Sequence, residues 1–188
     1  MSPSLFTYTY MDYHITTARL GLRTWQPADL DPFAALNADP EVMRYFPKSL
    51  DRETTQKFID KIMAHHQAHG YGWYAVDELS SGSFMGFIGL AYNDMDVDFT
   101  PCVEIGWRLA KNFWRKGYAT EGARACLDFA FESLGMSEVY SFTALQNLPS
   151  QGVMKKIGMY RVGEFDHPKL TKGHALERHV LYLKKSTD

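Results

Sequence analysis

A mixed α/β domain built on one sheet is the fold this sequence predicts, and three observations predict it. Residues 103–109 alternate between apolar and polar side chains, the period of a half-buried strand. Ala123, Leu127, Ala130, Phe131 and Leu134 recur at helical spacing and form one apolar stripe over 119–134. Two strand-like runs, 73–76 and 84–91, flank a Ser- and Gly-rich turn at 78–83 and read as a hairpin.

Taken in order, residues 1–14 are rich in Tyr, Ser and Thr without a clear period. They read as an N-terminal arm or an added edge strand ahead of one domain over 15–185. Aromatics in the arm (Phe6, Tyr8, Tyr10, Tyr13) permit a dimer contact, so monomer and homodimer both stay open. Residues 17–25, with Leu20 and Leu22 on one face, predict a first strand. Gln26-Pro27-Ala28-Asp29 breaks it and starts a helix that turns Leu30, Phe33, Ala34 and Leu36 inward. Asp39-Pro40 is expected to open a second short helix carrying Val42 and Met43. A longer helix follows over 54–69, on Phe58, Ile59 and Ile62. Beyond the hairpin and the 103–109 strand come the 119–134 helix, a strand at 139–145 and a short helix at 150–157 stopped by Gly158. Runs at 160–164 and 178–183 are the closing strands. No repeat, low-complexity tract or long linker divides the chain.

The chain has 188 residues, enough to bury roughly 70% of its unfolded surface. Its formal charge of −2, with 20 dispersed Lys and Arg, gives no basic field for nucleic acid. Two cysteines, Cys102 and Cys126, make no disulfide framework and no C-x-x-C pair. Cys126 falls in a helical pattern and reads as a small core residue. The start lacks a basic segment followed by an apolar one, and no apolar run approaches about 18 residues. A cytoplasmic protein without membrane contact is the expectation.

Residues 114–122 read Trp-Arg-Lys-Gly-Tyr-Ala-Thr-Glu-Gly, between the alternating strand and the amphipathic helix. A small-residue turn there aims several backbone N–H groups one way, which suits a phosphate or pyrophosphate at the helix N-terminus. Arg115 and Lys116 add cations, each worth on the order of 0.3–1 kcal/mol when exposed. The bland reading is a plain strand-to-helix connection.

Further blocks surround that turn. Arg19-Leu20-Gly21-Leu22-Arg23 and Asp39-Pro40-Glu41-Val42-Met43 precede Glu104-Ile105-Gly106-Trp107-Arg108-Leu109. Gly117-Tyr118-Ala119-Thr120-Glu121, Asn147-Leu148-Pro149-Ser150 and Lys155-Lys156-Ile157-Gly158-Met159-Tyr160 follow. In this order the chain resembles the GNAT acyltransferase superfamily from about 19 to 183. Within it, the sequence looks most like the branch of the ribosomal-protein alanine N-acetyltransferases. Trp114 stands where the wider superfamily places Gln or Arg, and Arg115 where the branch often has a small residue.

The resemblance implies a mostly antiparallel sheet flanked by helices, with a splay between central strands. It implies acetyl-coenzyme A as co-substrate, with the amides of Arg115, Lys116, Gly117, Tyr118, Ala119 and Thr120 on its pyrophosphate. The strand through Ile105, Trp107 and Leu109 would pair with the pantetheine arm and splay from the strand at 139–145. A backbone donor freed by that splay would polarise the thioester carbonyl, an effect of roughly a hundredfold to a thousandfold. Asn147 would contact the pantetheine or fix a water. Ser150 would meet the departing sulfur; its bland reading is a helix N-cap.

Direct acyl transfer needs a neutral amine. At pH 7 an α-amine is roughly a tenth neutral, a lysine side chain only about four parts in ten thousand. Peptide N-termini and small amines therefore ask least of a base. Glu104, on the strand entering the turn, is the leading base, reaching the amine through a water. The competing reading is a solvent-facing Glu on an alternating strand. Glu164 is second, and a histidine among His167, His174 and His179 is a further alternative. His65 and His69 lack a third metal ligand, and with His66 they read as a solvated helix face. Asp94, Asp96 and Asp98 lack the glycine and glutamate of a calcium loop, so no metal is expected. A non-catalytic acyl-coenzyme A sensor, or a transferase for another acyl group such as succinyl, remains the alternative.

Overall fold

The computed structural model describes residues 12–187; Phe6, Tyr8 and Tyr10 of the arm lie outside them. In chain order the elements are β1 (Ile15–Thr16), β2 (Leu20–Arg23), α1 (Leu30–Ala38), α2 (Arg52–His69), β3 (Trp73–Glu78) and β4 (Ser83–Asn93). Then come β5 (Cys102–Leu109), α3 (Tyr118–Asp128), β6 (Glu138–Ala144), α4 (Leu148–Lys156), β7 (Tyr160–Asp166) and β8 (Arg178–Lys185). The eight strands form one sheet in the order β1-β2-β3-β4-β5-β6-β8-β7. Every pair is antiparallel except β5 with β6.

The alternation read in the sequence sorts side chains to two cores. Ile105 and Leu109 of β5, with Leu20, Val76 and Ile88, bury against Ala123, Cys126 and Leu127 of α3 and Met154 of α4. On the other face, Ala75 and Phe87 pack with Trp25, Phe33, Ile59 and Ile62 under α1 and α2. Both cysteines are buried thiols, and burial pushes Cys102 up to about 12. They are core residues rather than nucleophiles.

A buried ion cluster ties α1 to the sheet. Arg23 Nη1 and Nη2 donate to Asp29 at 2.7 and 2.8 Å. Its Nε and Nη2 donate to Asp77 at 2.7 and 2.9 Å. Burial pulls the guanidinium pKa down, but both carboxylates outweigh that and hold it above the ordinary arginine value. Asp29 also accepts from the Gln26 amide at 2.7 Å.

Four local expectations need correction. The 17–25 strand is interrupted: the Thr17 hydroxyl accepts from the Leu20 amide at 3.0 Å, turning β1 back along β2. Trp25 leaves the strand because its indole donates to the Trp73 carbonyl at 2.7 Å. No second helix forms after Asp39-Pro40; residues 40–48 are turns and bends. Asp39 Oδ1 accepts from the Glu41 amide at 2.8 Å, and Pro47 disfavours helical backbone at Phe46. The helix read over 119–134 is α3 followed by a π turn over Phe129–Ser133. Lastly, α4 begins at Leu148, so its cap is Asn147, whose side chain accepts from the Ser150 amide; Ser150 is inside the helix.

Candidate functional site

The parallel strands β5 and β6 register at one residue pair, Glu104 with Tyr140, and then part. Ser141 Oγ donates to the Ile105 carbonyl at 2.9 Å, which fixes the direction of that carbonyl toward β6. Main-chain directions alternate along a strand in an antiparallel ladder. The N–H and C=O of Trp107, two residues on, therefore face the opening rather than β4. The Leu109 carbonyl, next in the series, accepts from Trp114 Nε1 at 2.7 Å. A cleft of about 1100 Å³ runs through the opening, lined from β5, the start of α3, β6, the start of α4 and the 41–47 segment.

One end of the cleft is the turn into α3. Gly117 has φ 84° and no side chain caps the helix. Arg115 also has positive φ, at 60°, a conformation that costs a non-glycine residue about 1–2 kcal/mol. Consecutive turns of this kind gather amides into an anion-binding concavity, and the uncapped first turn of α3 adds its own N–H groups and dipole. The turn is braced from behind. Arg19 Nη1 donates to the Lys116 carbonyl at 3.0 Å, its Nε donates to Glu121 at 2.7 Å, and its guanidinium lies 4.3 Å from the centre of the Tyr118 ring. Arg115, Gly117, Tyr118, Ala119 and Thr120 line the cleft; Lys116 alone of the predicted turn residues does not.

Glu104 lies at the fork of the two strands. It is half-buried, faces the cleft, and accepts from Asn93 Nδ2 at 2.8 Å. Loss of hydration pushes its pKa up to about 7, against the Asn93 hydrogen bond and the charge of Lys169. That places its affinity for protons where a base at neutral pH is most effective. Of the alternatives, Glu164 lies outside this cleft, held by Arg161 and by Arg178 at 2.9 Å. His167 and His179 line the cleft with ring centres 4.8 Å apart. Burial, then the charges of His179 and Lys169, push His167 down to about 4, a weak base. His174 does not line the cleft.

Asn147 and Ser150 both line the cleft and bond each other. Asn147 Nδ2 donates to Ser150 Oγ at 3.1 Å and to Thr143 Oγ1 at 2.8 Å. With a lone pair so occupied, the Ser150 hydroxyl keeps its proton for another partner. If Ser150 meets the departing sulfur as the resemblance implies, Ser150→Ala is expected to slow turnover about tenfold to a hundredfold, the worth of one hydrogen bond to a charged sulfur. Coenzyme A affinity should change much less. Comparison of kcat with the dissociation constant checks this, and equal losses in both would mark a structural role.

Some residues escaped the sequence reading. Arg19 and Glu121 pair across 102 positions, which is not a local signal. Arg108 and Trp73 were unassigned, and both line the cleft. Of the histidine face, His65 and His66 are half-buried rather than solvated, while His69 is exposed as expected. His65 Nδ1 bonds the Tyr71 carbonyl at 3.1 Å, and its Nε2 accepts from the Tyr92 amide at 2.9 Å.

The profile of the acetyltransferase (GNAT) domain family matches residues 19–160. The uncharacterized N-acetyltransferase YnaD of Bacillus subtilis is 31% identical over 156 residues, covering 81% of this chain and 85% of its own length. Among solved structures, a GNAT-family acetyltransferase from Bacillus anthracis superposes with TM-score 0.76 at 25% identity, over 93% of this chain and 99% of that one. RimL, a ribosomal-protein alpha-N acetyltransferase solved with coenzyme A, shares the fold at TM-score 0.72 and 16% identity, over 92% and 97% of the two chains.

Proposed function

The chain belongs to the GNAT acetyltransferase family, and from that premise we propose that it moves an acetyl group from acetyl-coenzyme A directly to a primary amine, either an N-terminal α-amine or a small amine. One observation carries this reading: the opening between β5 and β6 joins an uncapped helix N-terminus at one end to a raised-pKa carboxylate at its fork. The amides of Arg115 to Thr120 bind the pyrophosphate. The main chain of Trp107 pairs with the pantetheine amides and donates to the thioester oxygen as negative charge develops there. Glu104, through a water, accepts the proton that the ammonium form of the acceptor must lose. The neutral amine attacks the carbonyl carbon, the C–S bond breaks, and the proton that the nitrogen sheds on becoming an amide passes to the leaving sulfur, to which Ser150 donates a hydrogen bond. Asn147 keeps the Ser150 hydroxyl turned for that task.

The residues present suit the co-substrate: the turn offers N–H groups without a capping side chain, and the exposed cations Arg115 and Lys116 stand beside it. Two free buried cysteines fit a reducing, cytoplasmic setting, and among the described residues no helix is long and apolar enough to cross a membrane. Purified protein with acetyl-coenzyme A and a panel of peptides and small amines tests the reading. Thiol release with at least one amine class is expected. Coenzyme A binding with no release across the panel would favour a sensor module instead.

A further inference from the structure

Arg108 is the least expected residue in the cleft. It lies on the face of β5 that carries Glu104 and Gly106, turned toward α1 and α2, and it is 8% exposed. Three phenylalanines surround its guanidinium: the ring centres of Phe46, Phe87 and Phe58 lie 4.1, 5.4 and 5.7 Å away. Its Nη1 donates to Asn37 Oδ1 at 2.6 Å. Its Nε has no hydrogen-bond partner, and no carboxylate among the described residues forms an ion pair with it. Burial pushes its pKa down to about 10, with no anion to oppose the shift. A buried, unpaired cation is costly, and contact with aromatic faces offsets only part of that cost.

A second donor is orphaned on the same face of the sheet, on Trp73, which packs against Phe58 and Phe87, two of the three rings around Arg108. The Trp73 side chain lines the same cleft, and its Nε1 is buried without a partner among the described residues. It stands over Gly106, where an added Cβ would lie 3.5 Å away. One strand face thus runs from a proton acceptor at Glu104, past an unused indole N–H, to an unused guanidinium edge. Buried donors without acceptors in a built, aromatic-walled pocket call for a ligand that brings the acceptor. A guanidinium edge beside a second N–H matches the two oxygens of a carboxylate.

We propose that Arg108 and Trp73 form a carboxylate subsite, so that one of the two substrates brings a free carboxylate into the cleft. This rests on the acyl-transfer reading above and names the chemistry of the group that reading leaves open. The carboxylate comes either from the acceptor, beyond its amine, or from the far end of a dicarboxylic acyl chain. Glu104 and Arg108 stand about 13 Å apart along the strand. An acceptor serving both is therefore extended, as a short peptide with a free C-terminus is.

The decisive test is binding, read at the Trp73 indole N–H in a proton–nitrogen correlation spectrum of the intact chain. Phenylacetate should move that signal and saturate about tenfold or more tighter than phenylacetamide, as expected for a charged hydrogen-bond pair. Arg108→Gln should abolish the difference. Arg108→Lys, which keeps the charge and loses the fork, should reduce it and serves if the glutamine variant does not fold. Equal responses to acid and amide, or none to either, would overturn the subsite. Two kinetic arms then identify the source. Preference for Gly-Gly-Gly-Phe, which spans about 13 Å when extended, over its C-terminal amide, with acetyl-coenzyme A, assigns the carboxylate to the acceptor. Preference for succinyl- over butyryl-coenzyme A, with the amide as acceptor, assigns it to the acyl chain. If no thiol is released in either arm or across the amine panel, the transferase reading fails, while the indole signal still decides the subsite.

Discussion

Glu104→Gln is expected to lower kcat/KM for amine acetylation by about a hundredfold to ten-thousandfold at neutral pH, the usual worth of a positioned base. Glutamine keeps the shape and still meets Asn93, but it cannot take a proton. In the parent enzyme, kcat/KM should rise with pH through an apparent pKa near 7, because only the carboxylate accepts the proton. That step should be missing from the variant's profile. A stability change of opposite benefit should accompany it. The folded pKa of about 7 lies above the ordinary carboxyl value of 4.5. Between those values the folded chain therefore holds more protons than the unfolded chain, and stability falls as pH rises through the window. The contribution of the protonated carboxyl is complete below pH 4.5 and lost above 7. Glu104→Gln removes this dependence and should stabilise the protein at pH 8 by up to about 3 kcal/mol. Thermal melts at pH 5 and pH 8, beside the pH–rate profile, check both halves. A variant with unchanged turnover and unchanged pH dependence would remove Glu104 from the mechanism.

The second large effect concerns stability rather than chemistry. Arg23→Ala should destabilise the fold by about 3–5 kcal/mol, because it strands Asp29 and Asp77 without their shared cation. Those carboxylates are 3% and 2% exposed, so water cannot take the place of the guanidinium without opening the joint between α1 and the sheet. Urea unfolding measures the loss. Replacing all three members with apolar residues of matching volume should cost far less than the single truncation, since no charge is then left buried alone. A single variant that unfolds at the parent's urea midpoint would show that the cluster adds nothing to the joint.

What the sequence disclosed and what it hid divide along physical lines. The alternation of β5 and the stripe of α3 were legible because each is a one-dimensional period set by a buried face. The turn between them was legible because glycine supplies the positive φ that opens α3. The 39–46 segment was misread because its start carries helix-opening residues, while an Asp39 turn and Pro47 prevent propagation. The cap of α4 was displaced because both Asn147 and Ser150 are good caps and only the backbone chooses between them. Glu104 could be nominated from its strand, but its raised pKa depends on burial beside β6, and no local pattern encodes that. The isolation of Arg108 is harder still to read, since the absence of a carboxylate partner among the described residues exists only in three dimensions.

The account depends on the α3 turn and the neighbouring opening as the seat of coenzyme A. Isothermal titration of the intact chain with coenzyme A measures that directly. One equivalent should bind with measurable heat, and Gly117→Val should weaken binding about tenfold, because a branched residue resists φ near 84° by roughly 1–2 kcal/mol. A folded parent protein that gives neither heat nor thermal stabilisation with coenzyme A would contradict the account.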